Sequence, residues 1–455
     1  MLLHFMTRAD SSCSDAVEIA DQYWKLTAQD VAVSGEDFEP FICISYSWGS
    51  AKEASPFRNK LKISTRTIPA LTVVSKLRPS CKNFWIDAFC VPQESPQRQY
   101  VLESMGLIYA TAAEVITVLS TQTKPALECT ATQDHICFQY LDALEEDAWV
   151  SRAWTYQEAA NAKLLSFTYE GATDLVIGAM DFLNAIGYTK TLLADSEAYI
   201  DLVRPYPRLS LLEDLLAEYC MGGHQNHSAL AIMSNMEQRT QERPEDHFYA
   251  MIGVISDSQA SSYGIENPCE LFMTLCERKG DYSFIYSVSK RESVPSKRWR
   301  PVPDNLRAIM TNHSWGKQQS AHKEGEELYL DHMMVPRLTS SPSEDVEFIK
   351  CARSIMHRSD AMEPLTPLHQ KVFRGLETMG FSGSSDPIHA EKGVFFPAQD
   401  VSYATIITLM VSTEVLWSFG APGLVHHKVD DTDAYTAGVY VGVVDKESTS
   451  SIKMN

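Results

Sequence analysis

Neither GxGxxG nor GxxxxGK[ST] occurs in the chain, so the glycine-rich turns that seat phosphates on a helix N-terminus are missing. That disfavours a Rossmann dehydrogenase and a P-loop ATPase. Basic side chains are scarce: 39 Lys and Arg face 59 Asp and Glu, a formal charge of -20 that repels phosphate backbones and anionic lipid at long range. Nucleic acid is therefore not an expected partner. No two cysteines form a CxxC pair, and ten scattered through a long chain make no dense disulfide framework. They read as reduced thiols. Long apolar runs are also lacking. Leu2 to Met6 is broken by His4 and stops at Arg8, short of the roughly 7 to 15 residues of a signal h-region. Ala404 to Val411 is interrupted by Thr405 and Thr408, far below the roughly 20 residues that span a bilayer. A soluble, cytoplasmic protein without a membrane span is expected.

What is present is enough to fold. With 455 residues, 44% of them hydrophobic and 10% aromatic, the chain has ample core-forming material for roughly three domain-sized units. Asp15 and Glu18 have capping-box spacing, and Val17, Ala20, Tyr23, Trp24 and Ala28 recur near a 3.6 period, which predicts a helix over 15–28 in an N-terminal extension, residues 1–37. Phe41 to Ser47, Asn83 to Asp87, Glu114 to Leu119 and Leu164 to Tyr169 are short, β-favouring apolar runs. Helical patterns near 69–77, 98–112, 138–144 and 151–162 separate them. Strands alternating with helices predict an α/β fold, a parallel sheet flanked by helices over 38–172, whose ligand site lies beyond the carboxyl ends of the strands. Ser45, Ser47 and Trp48 leave the first of those ends and Asp87 and Cys90 the second.

From 173 to 285 the pattern is helical, with segments at 209–220, 229–236, 246–254 and 270–278. Residues 286–455 read as mixed α/β or β-rich. Lys290, Arg291, Lys297, Arg298 and Arg300 form the one strong basic cluster and read as a solvated loop. Ser314-Trp-Gly316 echoes Ser47-Trp-Gly49 but lacks the flanking strand. Cys129, His135 and Cys137 have loose metal-like spacing without a fourth ligand, and His224 with His227 has no HExxH-type acid, so no metal is expected. Cys90 lacks a nearby His partner and reads as a small buried hydrophobe.

Four blocks in order, Ile44-Ser-Tyr-Ser-Trp-Gly49, Phe84-Trp-Ile-Asp-Ala-Phe-Cys90 with Gln93, Met105 with Ile108-Tyr109 and Ala112, and Arg152-Ala-Trp-Thr-Tyr-Gln-Glu158, resemble the fungal heterokaryon incompatibility (HET) domain. Arg239-Thr240, Glu245-Asp246 and Tyr249-Ala-Met-Ile-Gly253 resemble segments that often follow it. Gln97 and Val101 depart from the pattern, where an acidic residue and a glutamine are usual. The resemblance implies non-self recognition between fungal cells, with growth arrest or death after incompatible fusion, and protein partners or self-association. HET domains are in turn similar to TIR domains, some of which cleave NAD at the nicotinamide-ribose bond, with a Trp one turn before a glutamate.

Trp154 and Glu158 fall on one face of a predicted helix. In that reading Glu158 is the catalytic carboxylate that stabilises positive charge on the ribose, and Trp154 stacks on a base or on nicotinamide. Ser45, Ser47, Trp48 and Asp87 would bind the substrate, NAD is substrate rather than cofactor, and no metal is needed. The residues alone also allow the plain alternative. Trp154 is then core, Glu158 pairs with Arg152 or caps a neighbouring element, Asp87 bonds the backbone of its turn, and the two serines satisfy strand-end backbone. Whether the chain is an enzyme is left open by the sequence.

Overall fold

The computed structural model describes residues 2–30, 39–58, 61–194, 206–221, 227–256, 265–311, 318–325, 327–340, 345–356, 362–363 and 365–454. His224 and the Ser314-Trp-Gly316 echo lie outside them. The chain divides into two compact units, residues 1–225 with 239–264, and residues 226–238 with 265–455. The helical stretch 173–285 is thus shared between the two.

In the first unit β1 (Leu2–Ala9), β2 (Val17–Ile19), β3 (Gln22–Asp30) and β4 (Phe41–Tyr46) are followed by a separate hairpin of β5 (Lys52–Ala54) and β6 (Lys62–Ser64). Then come β7 (Asn83–Trp85), β8 (Glu114–Leu119), β9 (Leu165–Tyr169) and β10 (Ile177–Gly178). Among the described residues they form one eight-stranded sheet in the order β10-β9-β8-β4-β7-β1-β3-β2, with β5 and β6 apart from it. The four strands legible as apolar runs pair in parallel: β4 with β7, β4 with β8, and β8 with β9. Every residue of β4, β7, β8 and β9 is buried, as expected of parallel strands covered on both faces.

The helix predicted over 15–28 is not formed; that segment is the β2–β3 hairpin. Ala20 and Asp21 both adopt positive φ, 49° and 61°, the backbone of a two-residue type I′ turn. Trp24 is 1% exposed and packs edge-on to Phe84 of β7 at 5.6 Å, while the Arg8 guanidinium lies 5.3 Å from its ring centroid. Burial beside the sheet thus outweighs the local helical periodicity. With β1 antiparallel to both β3 and β7, the sheet is mixed rather than purely parallel.

Three helices behind the carboxyl edge pack through small residues. Helix Met105–Thr111 meets helix Pro244–Ile255 at Gly106 and Gly253, where an added methyl would collide with the Gly253 carbonyl or with the Gln157 side chain of helix Ala153–Ala160. Asn161 Nδ2 donates to the Gly253 carbonyl at 2.8 Å. This close approach seats helix 244–255 against helix 153–160.

The second unit carries β11 (Ala321–Glu324), β12 (Glu327–Met334), β13 (Ile388–Ala390), β14 (Gly393–Pro397), β15 (Thr405–Ser412), β16 (Gly420–Val429), β17 (Thr432–Gly442) and β18 (Ser450–Met454). They make an antiparallel sheet in the order β11-β12-β15-β16-β17-β14-β13, with β18 beside β12. Asp430 and Asp431, at φ 50° and 60°, turn β16 into β17. Phe395, Leu409, Val411, Val425 and Tyr440 form its core. The basic cluster is not simply a solvated loop. Arg300 is 5% exposed and clamps Glu270 at 2.8 Å and Glu277 at 2.7 Å, and Arg291 donates to the Ile285 and Ser287 carbonyls. Both cations are consumed by the fold.

Candidate functional site

At the carboxyl edge of the parallel strands lies a cleft of about 280 Å³, lined among others by Tyr46, Trp48, Asp87, Arg152, Trp154 and Glu158. It exists because β4 and β7 run side by side in parallel, Cys43 opposite Trp85, and β4 continues to Tyr46 beyond the end of β7. β4 then emerges as Trp48, and β7 turns at Asp87 into helix Asp87–Cys90. Asp87 Oδ1 accepts the Ala88 N–H at 2.7 Å, closing that turn, and Oδ2 accepts the Trp48 indole N–H at 2.8 Å. Asp87 therefore both caps its own turn and faces the cleft. Burial raises its carboxyl above the usual range, against the bonds from Ala88 and Trp48 and the charge of Arg152.

Glu158 forms the floor, 5% exposed. Ser45 Oγ donates to its Oε2, and the Tyr109 hydroxyl donates to the same carboxyl group. Ser45 Oγ in turn accepts the Trp149 indole N–H at 2.7 Å. Burial pushes the Glu158 carboxyl up to about 8, helped by the negative charge of Asp87 and opposed by Ser45, Arg152 and Tyr109. At neutral pH it is mostly protonated, so a ligand that brings positive charge into the cleft would draw out the proton.

Trp154, half-buried on the next turn of the same helix, lines the cleft with its indole N–H donating to Asp246. Trp154 and Glu158 thus share a face, as their spacing predicts. The plain alternative of a Glu158–Arg152 ion pair is not what is found: the Arg152 guanidinium lies 4.0 Å from Glu242.

Of the six residues singled out in the sequence, Trp48, Asp87, Trp154 and Glu158 meet at the cleft. Ser45 and Ser47 do not line it. Each is 1% exposed, Ser45 holding Glu158 from behind and Ser47 accepting from Arg66, which pairs with Glu170. Tyr109, which bonds Glu158, and Asp246, Arg98 and Arg243, which also line the cleft, were missed. Tyr109 sits in an apolar stripe and reads as core, which its ring is, packed edge-on to Trp85 at 5.5 Å; only its hydroxyl serves the site. Asp246 arrives on a distant helix, and its signal was the Glu245-Asp246 segment itself. Cys90 is 1% exposed and is not among the residues that line the cleft, and burial pushes its thiol up to about 12, as for a small buried hydrophobe. Among the described residues no group of three or more His, Cys, Asp or Glu side chains is placed to hold a metal ion, Cys129, His135 and Cys137 included.

Residues 41–140 match a family model described as Heterokaryon incompatibility protein (HET). Over that stretch the chain is similar to a HET domain. No curated protein and no solved structure gives a match. The HET match contains β4, β7 and β8, and with them Trp48 and Asp87, but ends before Trp154 and Glu158. The sheet itself runs on past the matched residues, because β9 pairs in parallel with β8, and helix 153–160 lies between those two strands in sequence.

Proposed function

We propose that this protein acts in fungal non-self recognition, as a cytoplasmic HET-domain protein that sets off growth arrest or cell death with protein partners or through self-association. The observation that carries this reading is the HET match over the strands that build the cleft's edge. Expression of the full chain in yeast tests it. Slowed growth with the wild type supports the reading, and growth equal to that of an empty-vector control sinks it.

A second, narrower reading is that the cleft is TIR-like and hydrolyses the nicotinamide-ribose bond of NAD. The buried Glu158 carboxyl on the cleft floor, one helical turn from Trp154, favours it. Breaking the bond sends its electron pair to nicotinamide, which leaves neutral, while positive charge develops on the ribose. Positive charge beside Glu158 lowers its pKa, so the ionised carboxylate becomes available where it is needed. Water then adds to the ribose and releases a proton. Trp154 offers a stacking face, and Trp48 with Asp87 borders the ribose side.

Nicotinamide release from NAD by purified wild type and Glu158→Ala, at high protein concentration to permit association, decides between the readings. Release by the wild type alone makes Glu158 catalytic. Equal release removes Glu158 from the mechanism. Toxicity in yeast without release by either protein leaves a non-catalytic signalling scaffold.

A further inference from the structure

Cys129 lies in the last turn of helix Lys124–Thr132, and Cys137 follows the loop that leaves that helix. Their sulfurs are 3.1 Å apart. Among the described residues no other two cysteine sulfurs come within hydrogen-bonding distance of each other. The loop's backbone holds them there. The Gln133 N–H bonds the Cys129 carbonyl at 2.8 Å, and the Ile136 N–H bonds Thr189 Oγ1 at 2.8 Å, pinning the loop to helix Ala179–Ala194. The Cys137 N–H points at Cys129 Sγ at 3.4 Å.

The surroundings favour redox chemistry over a metal. His135 turns its ring to Asp134 and to Tyr188, and its backbone carbonyl, rather than its imidazole, faces Cys129 Sγ at 3.4 Å. The remaining neighbour of both sulfurs is the neutral Gln133 side chain. Cys129 is 6% exposed while Cys137 is half-buried, so an oxidant from solvent reaches Cys137 first.

We propose that Cys129 and Cys137 are a redox modification site, closing to a reversible intrachain disulfide when a peroxide oxidises the protein. Cys137 Sγ, as thiolate, attacks one peroxide oxygen; the O–O bond breaks, water leaves and Cys137 becomes a sulfenic acid. Cys129 Sγ attacks that sulfur, the S–O bond breaks, and a second water leaves as the S–S bond forms. Two thiols lose two electrons and two protons, and one peroxide becomes two waters. A dithiol reductant reverses the bond by exchange. Its neighbour Cys129 raises the Cys137 thiol above the usual range, so closure speeds up as pH rises.

The test uses the full chain, reduced and then treated with hydrogen peroxide at pH 7 and pH 9, quenched with an alkylating reagent, unfolded and cut with Asp-N. Asp134 lies between the two cysteines, so cleavage there leaves two peptides joined only by the new bond. The expected result is the Cys129–Cys137 linked pair as the first cysteine cross-link to appear, faster at pH 9, lost on dithiothreitol treatment and absent from Cys137→Ser and from Cys129→Ser. The proposal is overturned if both cysteines alkylate fully after peroxide, if Cys137 stops at sulfinic acid without cross-linking, or if either joins another cysteine instead. Since Cys137 is partly exposed, Cys137→Ser tests the pairing without disturbing the core.

Discussion

Two buried carboxyl groups, one in each unit, show how differently the fold uses the same chemistry. Asp281 of the second unit is fully buried and accepts three backbone N–H groups: Ala229 at 2.5 Å, Ser283 at 2.9 Å and Gln319 at 3.2 Å. It ties a helix start, a turn and a loop together. Glu158 of the first unit is also buried, at 5% exposed, yet its bonds come from two side-chain hydroxyls and it opens onto a cleft. Burial raises both carboxyls. Backbone donors on every side mark a structural node. A raised carboxyl facing a cleft beside two tryptophans marks a group positioned for a ligand.

The largest expected effect separates these roles. Asp281→Ala leaves three buried N–H groups without an acceptor and should cost about 4 kcal/mol in chemical denaturation. If it costs under about 1 kcal/mol, Asp281 is not the node its contacts describe.

Glu158 should behave in the opposite sense. Its folded pKa, about 8, stands above the unfolded value, so its contribution to stability is fully present below the unfolded carboxylate range and is lost as pH rises toward 8. Unfolded chains ionise first and pull the equilibrium toward unfolding. Glu158→Gln cannot ionise and should be more stable than wild type by roughly 3 kcal/mol at pH 8, with the difference vanishing near pH 4.5. Denaturant unfolding at several pH values reads this directly. A variant less stable than wild type at pH 8 would show that the carboxyl is held for structure, like Asp281.

How much of this was legible depends on where each residue's partner lies. The four parallel strands were readable because both faces are buried, so β4 and β8 are continuous apolar runs. The β2–β3 hairpin was not, because its turn uses Ala20 in a left-handed conformation that alanine rarely adopts, and because Trp24 finds its packing partner on β7. In the site, Trp154 and Glu158 were legible as a helical pair. Ser45 was legible as a strand-end residue but not in its role, since its partners Glu158 and Trp149 are 113 and 104 residues away. Asp246 and Tyr109 illustrate the same limit: spacing reveals residues that share an element, and the cleft is assembled from several.

The smallest expected effect sharpens the comparison further. Trp48→Phe keeps an aromatic ring on the cleft but removes the indole N–H that Asp87 Oδ2 accepts at 2.8 Å. Asp87 retains the Ala88 N–H and the Tyr46 hydroxyl, and it is half-buried rather than sealed, so the loss should be about 1 kcal/mol or less. The informative change is in ionisation. With one donor gone, burial is less well opposed and the Asp87 carboxyl should titrate at higher pH than in wild type, as followed by carbon NMR of its side chain. Higher negative charge at Asp87 is then deferred to higher pH, and because that charge helps hold Glu158 protonated, the Glu158 midpoint should move slightly downward. Paired movement in opposite directions would show that the two carboxyls sense each other across the cleft. A stability loss as large as that of Asp281→Ala, with neither midpoint moved, would instead place Asp87 among the structural nodes and leave Glu158 to face the ligand alone.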